Sequence, residues 1–109
     1  VEVLEKKAGH LATMLTTAGG GRMEVEIVKG TSRAGGGSLP LADLPTFCVR
    51  VRVPPISVNR VERLLRGGQP PIIGRIEDDS FIMDVRTIEE QEYDIIVQAF
   101  ESILQTHVN

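Results

Sequence analysis

The chain has 109 residues, 41% of them hydrophobic and 25% charged, which is the composition of one globular domain with no room for a second. Its net charge of −3 gives no general attraction for phosphate backbones or anionic membranes, and three phenylalanines, one tyrosine and no tryptophan are too few for a base-stacking surface. Without a membrane-spanning apolar run, a signal-peptide pattern or a second cysteine, the sequence predicts a soluble, cytoplasmic domain with no membrane partner.

The beginning of the chain predicts a helix over residues 2–17, because apolar residues recur there at spacings of three and four. The stripe consists of Val1, Leu4, Ala8, Leu11 and Leu15. Three glycines at 19–21 end the helix, and alternation at Met23, Val25 and Ile27 then predicts a half-buried strand. The chain opens on the helical pattern without a methionine, so we expect it to be part of a longer protein.

The clearest strand pattern lies in "TFCVRVRV", residues 46–53. One face carries Phe47, Val49, Val51 and Val53, and the other carries Thr46, Cys48, Arg50 and Arg52. Glu24 and Glu26 on the first strand are opposite in sign to the two arginines, which predicts that the strands are antiparallel neighbours. We interpret the arginines as part of a salt-bridged, solvated sheet face rather than as a nucleic-acid contact.

The second half of the chain predicts a short helix, a hairpin and a final helix. Ser57 is a suitable N-cap for the short helix, which Gly67 ends. The hairpin pairs residues 72–76 with 81–85, and its turn "EDDS" lacks the glycine of a tight turn, so we expect a longer or less regular loop. Thr87 and Glu90 form a capping box for the last helix. Its predicted buried stripe is Ile95, Ile96, Ala99, Phe100, Ile103 and Leu104.

The resulting order, α-β-β-α-β-β-α, predicts an α+β fold of two layers. We expect a mostly antiparallel sheet of about four strands with the helices packed on one face. No internal repeat or linker interrupts the pattern.

Few residues carry a recognisable chemistry. The glycines at 35–37 lack the lysine of a phosphate-binding loop, so a slack connector and a backbone anion nest both remain open. His10 and His107 are far apart, which argues against a metal site, and Cys48 has no nearby histidine and is interpreted as a packing residue. The carboxylates are interpreted as a solvated hairpin tip: Glu77, Asp78, Asp79 and Asp84.

Arg75 and Arg86 stand out because of their apolar surroundings. Arg75 lies within the strand pattern "IIGRI", and an arginine in a buried strand needs a carboxylate, a phosphate or a partner domain. An internal salt bridge that involves Asp84 is the simplest interpretation of this setting.

Two segments, "AGGGSLPLADLP" and "RLLRGGQPPIIGRIEDDSFIMDVRT", occur in order over about residues 31–88. Together they resemble the C-terminal domain of bacterial selenocysteine synthase, the L-seryl-tRNA(Sec) selenium transferase family. Several matched segments in sequence are more specific than any one motif. The first and last helices resemble those of this family only in their type of structure, without a matched motif.

The resemblance implies a fold-type-I enzyme that uses pyridoxal 5'-phosphate to convert seryl-tRNA(Sec) into selenocysteyl-tRNA(Sec), with selenophosphate as donor. Residues 1–109 would be the small domain that closes over the active site, and the large domain, which carries the cofactor lysine, is absent. Lys6, Lys7 and Lys29, the only lysines, do not have the setting of that residue. We therefore expect this chain alone to hold no cofactor, no metal and no catalytic residue, and to be inactive.

The resemblance also suggests contact residues. Arg75, or alternatively Arg86, would meet the substrate, a phosphate or a neighbouring subunit. A second group would lie at the face that meets the large domain, namely Gly35, Gly36, Gly37 and Ser38. Two alternatives remain open, which are the small domain of a related pyridoxal phosphate lyase and a free-standing α+β module for binding or oligomerisation.

Overall fold

A computed structural model of the chain describes residues 2–32 and 44–107. The elements are α1 (Glu2–Gly19), β1 (Glu24–Ser32), β2 (Leu44–Arg52), α2 (Val58–Arg66), β3 (Arg75–Glu77), β4 (Ser80–Asp84) and α3 (Tyr93–His107). Two short 3-10 helices, Val85–Thr87 and Glu90–Glu92, connect β4 to α3. The predicted order of helices and strands is confirmed.

The four strands form one antiparallel sheet in the order β1-β2-β4-β3. Glu24 of β1 lies opposite Arg52 of β2, and Glu26 lies opposite Arg50, so the predicted antiparallel pairing of these strands is confirmed. The helices cover one face of the sheet, hereafter the inner face, and the opposite face is called the outer face. The two-layer α+β fold is confirmed as well.

The hydrophobic core lies between the inner face and the helices. It includes the predicted residues of β2, three of those predicted for α1, and residues of β4 and α3, namely Phe47, Val49, Val51, Val53, Ala8, Leu11, Leu15, Phe81, Met83, Ile96, Phe100 and Leu104. Of the other predicted stripe residues, Leu4 is half-buried against the core, Val1 lies outside the described residues, and Ile95 is 38% exposed, contrary to the prediction. The rings of Phe81 and Phe100 meet edge to face with centroids 6.3 Å apart. This pair joins β4 to α3, so the last helix is fixed directly on the sheet.

The predicted N-cap of α2 is confirmed, whereas the prediction that Thr87 caps the last helix is wrong, because α3 begins at Tyr93 and the capping box at Glu89 belongs to the 3-10 helix directly before it. The Ser57 hydroxyl accepts a hydrogen bond from the Arg60 N–H at 3.3 Å, as an N-cap does. The Thr87 hydroxyl instead donates to the Asp84 carbonyl, and the capping box joins the Glu89 N–H to Glu92 Oε1 at 2.8 Å. The two 3-10 turns after β4 account for this shift.

The β3–β4 hairpin is tighter than expected. Glu77 pairs with Ser80, so the loop contains only Asp78 and Asp79, with φ angles of 50° and 59°. Aspartate tolerates this left-handed region better than most residues, and a two-residue turn with two positive φ angles suits the twist of a hairpin. The expected longer loop is therefore not formed. β3 also begins only at Arg75, rather than at residue 72.

Candidate functional site

The outer face of the sheet carries a set of charged pairs across its strands. Arg50 Nη2 of β2 lies 2.7 Å from Glu26 Oε1 of β1. Arg52 Nη1 lies 3.9 Å from Glu24 Oε1, and its Nε donates to Ser80 Oγ at 2.8 Å. These contacts confirm the predicted salt-bridged sheet face.

Arg75 lies on this face at the edge strand β3, opposite Ile82 of β4. It is not buried as its apolar neighbours suggested, because β3 is an edge strand and leaves 42% of the side chain exposed. Its Nε donates to Glu77 Oε2 on the same strand, and this hydrogen bond is the main cause that raises the pKa of Arg75. The expected ion pair of Arg75 is therefore made with Glu77.

The other end of the Arg75 guanidinium approaches Cys48 of β2. Arg75 Nη2 lies 3.8 Å from Cys48 Sγ, and the Cys48 residue is only 1% exposed. Burial, followed by the negative charge of Asp84, raises the pKa of the Cys48 thiol, and the nearby Arg75 opposes this effect. A buried thiol with a raised pKa remains protonated at neutral pH and is a poor nucleophile, which agrees with a packing role.

One carboxylate oxygen of Asp84, at the end of β4, accepts two hydrogen bonds. Its Oδ1 accepts from Thr46 Oγ1 at 2.6 Å and from the Arg86 backbone N–H at 2.9 Å. Arg86 itself is exposed in the 3-10 helix Val85–Thr87, beyond the last residue of β4. Arg86 therefore lies outside the β3–β4 hairpin that contains Arg75.

The remaining predicted contact residues lie outside the described residues. They are Gly35, Gly36, Gly37 and Ser38. Asp78 and Asp79 are exposed at the hairpin tip, as expected for solvated carboxylates, but Asp84 lies at the opposite end of β4 and belongs to the Thr46 contact instead.

The lysines do not fit the site of a pyridoxal phosphate cofactor. Lys6 and Lys29 are exposed and Lys7 is half-buried. Two cavities of about 360 and 380 Å³ flank α2, and a lysine lines neither of them. A cofactor lysine must project into an enclosed site beside a phosphate-binding cradle, so the described part of the chain does not provide one.

A row of three arginines on α2 was not among the candidate residues predicted from the sequence. Arg60, Arg63 and Arg66 are all exposed there, and the signal for them is a spacing of three residues in "RVERLLR". Arg66 Nε lies 3.1 Å from Glu62 Oε2, and Arg60 Nη2 lies 3.3 Å from His107 Nδ1 of α3. Within residues 2–32 and 44–107, no helix is both long and apolar enough to cross a membrane.

Comparison with known proteins gives a consistent result. The family model described as L-seryl-tRNA selenium transferase matches residues 1–89. Relatives with the name L-seryl-tRNA(Sec) selenium transferase include the proteins of Alkaliphilus oremlandii, 43% identical over 72% of this chain and 17% of the relative, and Hyphomonas neptunium, 40% identical over 94% and 22%. The protein of Aquifex aeolicus is 33% identical over 94% of this chain and 22% of its own length.

The chain thus spans about a fifth of the length of the curated relatives it matches. The family model covers most of the chain, from α1 through the 3-10 helix that follows β4. The chain belongs to the L-seryl-tRNA selenium transferase family.

Proposed function

We propose that this chain is the C-terminal small domain of an L-seryl-tRNA(Sec) selenium transferase. The parent enzyme would convert seryl-tRNA(Sec) into selenocysteyl-tRNA(Sec) in the cytoplasm, with selenophosphate as the selenium donor. The observation that carries this proposal is the family match over residues 1–89, supported by relatives of that name at 33–43% identity.

The cofactor of the proposed enzyme is pyridoxal 5'-phosphate, bound by the large domain. The lysines described above do not fit a cofactor site, so the role of this chain would be to bind and position rather than to react. We accordingly expect the isolated chain to show no selenium transfer.

The contacts of the domain with its partners would involve Arg75 and Arg86. Both are exposed, and Arg75 is oriented by its bond to Glu77 and its approach to Cys48. An oriented guanidinium recognises phosphate or carboxylate oxygens, which suits a substrate phosphate, the large domain or a neighbouring subunit. The second proposed group of contacts is Gly35, Gly36, Gly37 and Ser38, where backbone without side chains would allow a close approach.

The test uses the purified full-length protein that contains this chain. Incubation with seryl-tRNA(Sec) and radioactive selenophosphate is expected to give selenocysteine esterified to the tRNA, measured by chromatography after the ester is hydrolysed. Matched controls are the reaction without selenophosphate, the reaction with seryl-tRNA(Ser), and the protein from which residues 1–109 have been removed. All three are expected to give no selenocysteine.

The opposite results would discriminate the alternatives. Consumption of a free amino acid by the cofactor-loaded protein, with no transfer of selenium to tRNA, would identify a related pyridoxal phosphate lyase. Undiminished activity without residues 1–109 would show that this domain is dispensable for the reaction.

A further inference from the structure

The exposed side of α2 presents three arginines in a row. Arg60, Arg63 and Arg66 follow one another at intervals of three residues, which on an α-helix keeps them within an arc of about 120° and about 9 Å of the axis. The opposite side of the helix is buried through Val61 and Leu65. The three guanidinium groups therefore point away from the core, and they are hereafter called the arginine strip.

The charge of this strip is neutralised less than that of the sheet arginines. On the outer face, Arg50 and Arg75 each form an ion pair with a glutamate. Among the side chains that the structure describes, Arg66 of the strip has a carboxylate partner, Glu62, and Arg60 contacts the His107 ring. The same described side chains provide no hydrogen-bond or ion-pair partner for Arg63.

The strip also stands out against the rest of the chain. The chain as a whole has a net charge of −3, and residues 76–109 contain nine acidic residues and a single arginine. A basic helix face on an acidic protein offers a local attraction for an anionic partner, and its exposed arginines contribute little to folding.

We propose that Arg60, Arg63 and Arg66 form a phosphate-binding strip for the backbone of the tRNA substrate. This inference rests on the proposed function, which supplies the polyanion. Guanidinium groups bind phosphate oxygens in a bidentate manner, and double-stranded RNA is contacted largely through its phosphates and 2′-hydroxyl groups. Because phosphates recur along a strand, a linear row of cations matches them better than a single cationic point does.

The strip would bind without reading the sequence of the tRNA. Phosphate contacts fix orientation and register but carry no base information. The strip would therefore raise the affinity for tRNA and hold its orientation, and the identity of tRNA(Sec) would be read elsewhere in the parent enzyme.

The experiment replaces the strip in the full-length enzyme with Arg60→Gln, Arg63→Gln and Arg66→Gln together. The control combines Lys6→Gln, Lys7→Gln and Arg22→Gln, which removes the same charge from α1 and the turn that follows it. Glutamine is a good helix former, so α2 should persist, and circular dichroism checks this. Binding of unacylated tRNA(Sec) is measured by filter retention over a series of salt concentrations.

The strip variant is expected to bind roughly tenfold more weakly at about 0.15 M salt, because contacts to phosphates are lost. Its plot of log affinity against log salt should lose about one unit of slope per phosphate contact. The control should stay within about twofold of wild type. Selenocysteyl-tRNA formation at saturating tRNA should keep its kcat while the KM for tRNA rises.

Arg63→Gln alone provides a second variant that breaks no side-chain hydrogen bond or ion pair with the described side chains. It is expected to lower the slope by about one unit. An unchanged slope and Kd in both strip variants would overturn the proposal, as would an equal loss in the control. A change in subunit assembly with unaltered tRNA affinity would assign the strip to a protein partner instead. Strip-dependent tRNA binding by a protein that transfers no selenium would support the strip and contradict only the proposed function.

Discussion

The two faces of one sheet differ in how they are built. On the inner face, Val49 and Val51 of β2 and Phe81 of β4 are almost completely buried beneath the helices. On the outer face of the same strands, Arg50 and Arg52 lie among glutamates and remain partly exposed. Alternate residues of these strands thus lie on a side that the helices cover and on a side where arginines and glutamates form ion pairs.

This difference separates stability from recognition. Apolar burial contributes about 25 cal/mol for each Å² removed from water, whereas a solvated ion pair contributes about 0–1 kcal/mol. The solvated arginines of the outer face, Arg50 and Arg52, can therefore exchange their internal partners for those of another domain at a small cost in folding free energy. The inner face cannot be altered without loss of the fold.

The largest expected effect tests the inner face through Phe81→Ala. The change removes a fully buried ring and its edge-to-face contact with Phe100, so the free energy of unfolding should fall by about 3–5 kcal/mol. Urea denaturation of the 109-residue chain, followed by circular dichroism, measures this loss. A loss below about 1 kcal/mol would contradict the view that this face determines stability.

An intermediate effect is expected for Thr46→Val on the outer face. Thr46 is 2% exposed, and its hydroxyl bonds to the Asp84 carboxylate, so the variant loses a buried hydrogen bond to a charged group. The free energy of unfolding should fall by about 1–3 kcal/mol. Thr46→Ser keeps the hydroxyl and loses the methyl group that Thr46→Val retains, so it serves as the control for packing. A Thr46→Val variant as stable as wild type would contradict the contribution of the hydrogen bond.

The smallest effect is expected for Arg50→Gln. Its pair with Glu26 is exposed, so the free energy of unfolding should change by less than about 1 kcal/mol, and less still at high salt. A double-mutant cycle with Glu26→Gln isolates the interaction energy of the pair. A coupling well above about 1 kcal/mol would mean that the outer face also holds the fold together.

The order of the elements and the inner core could be predicted because their signals are periodic. The alternation of β2 and the stripe of α1 each place several residues on one side, so no single exception changes the result. The pairing of β1 with β2 could be predicted for the same reason, because two glutamates of β1 are opposite in charge to two arginines of β2. In the structure Glu24 lies opposite Arg52, and Glu26 lies opposite Arg50.

The predictions that proved wrong each depended on one residue or one short motif rather than on a repeated pattern. The apolar neighbours of Arg75 predicted burial, but only the strand order shows that β3 is an edge. The capping rule selects Thr87, which precedes Glu90 by three positions, whereas the capping box forms between Glu89 and Glu92 because two 3-10 turns follow β4. The Asp78–Asp79 turn lacks glycine, and its positive φ angles follow from the pairing of Glu77 with Ser80.

The packing of α3 against Phe81 has a consequence for the order in which the domain matures during synthesis. The β1–β2 hairpin is local and can pair as soon as both strands have left the ribosome, but β4 must join β2 from some thirty residues further along, and Phe100 emerges later still. Until then the part of the apolar side that α3 covers stays exposed to solvent, although α1 can already pack against β1 and β2. The nascent domain therefore becomes native only when its last helix docks.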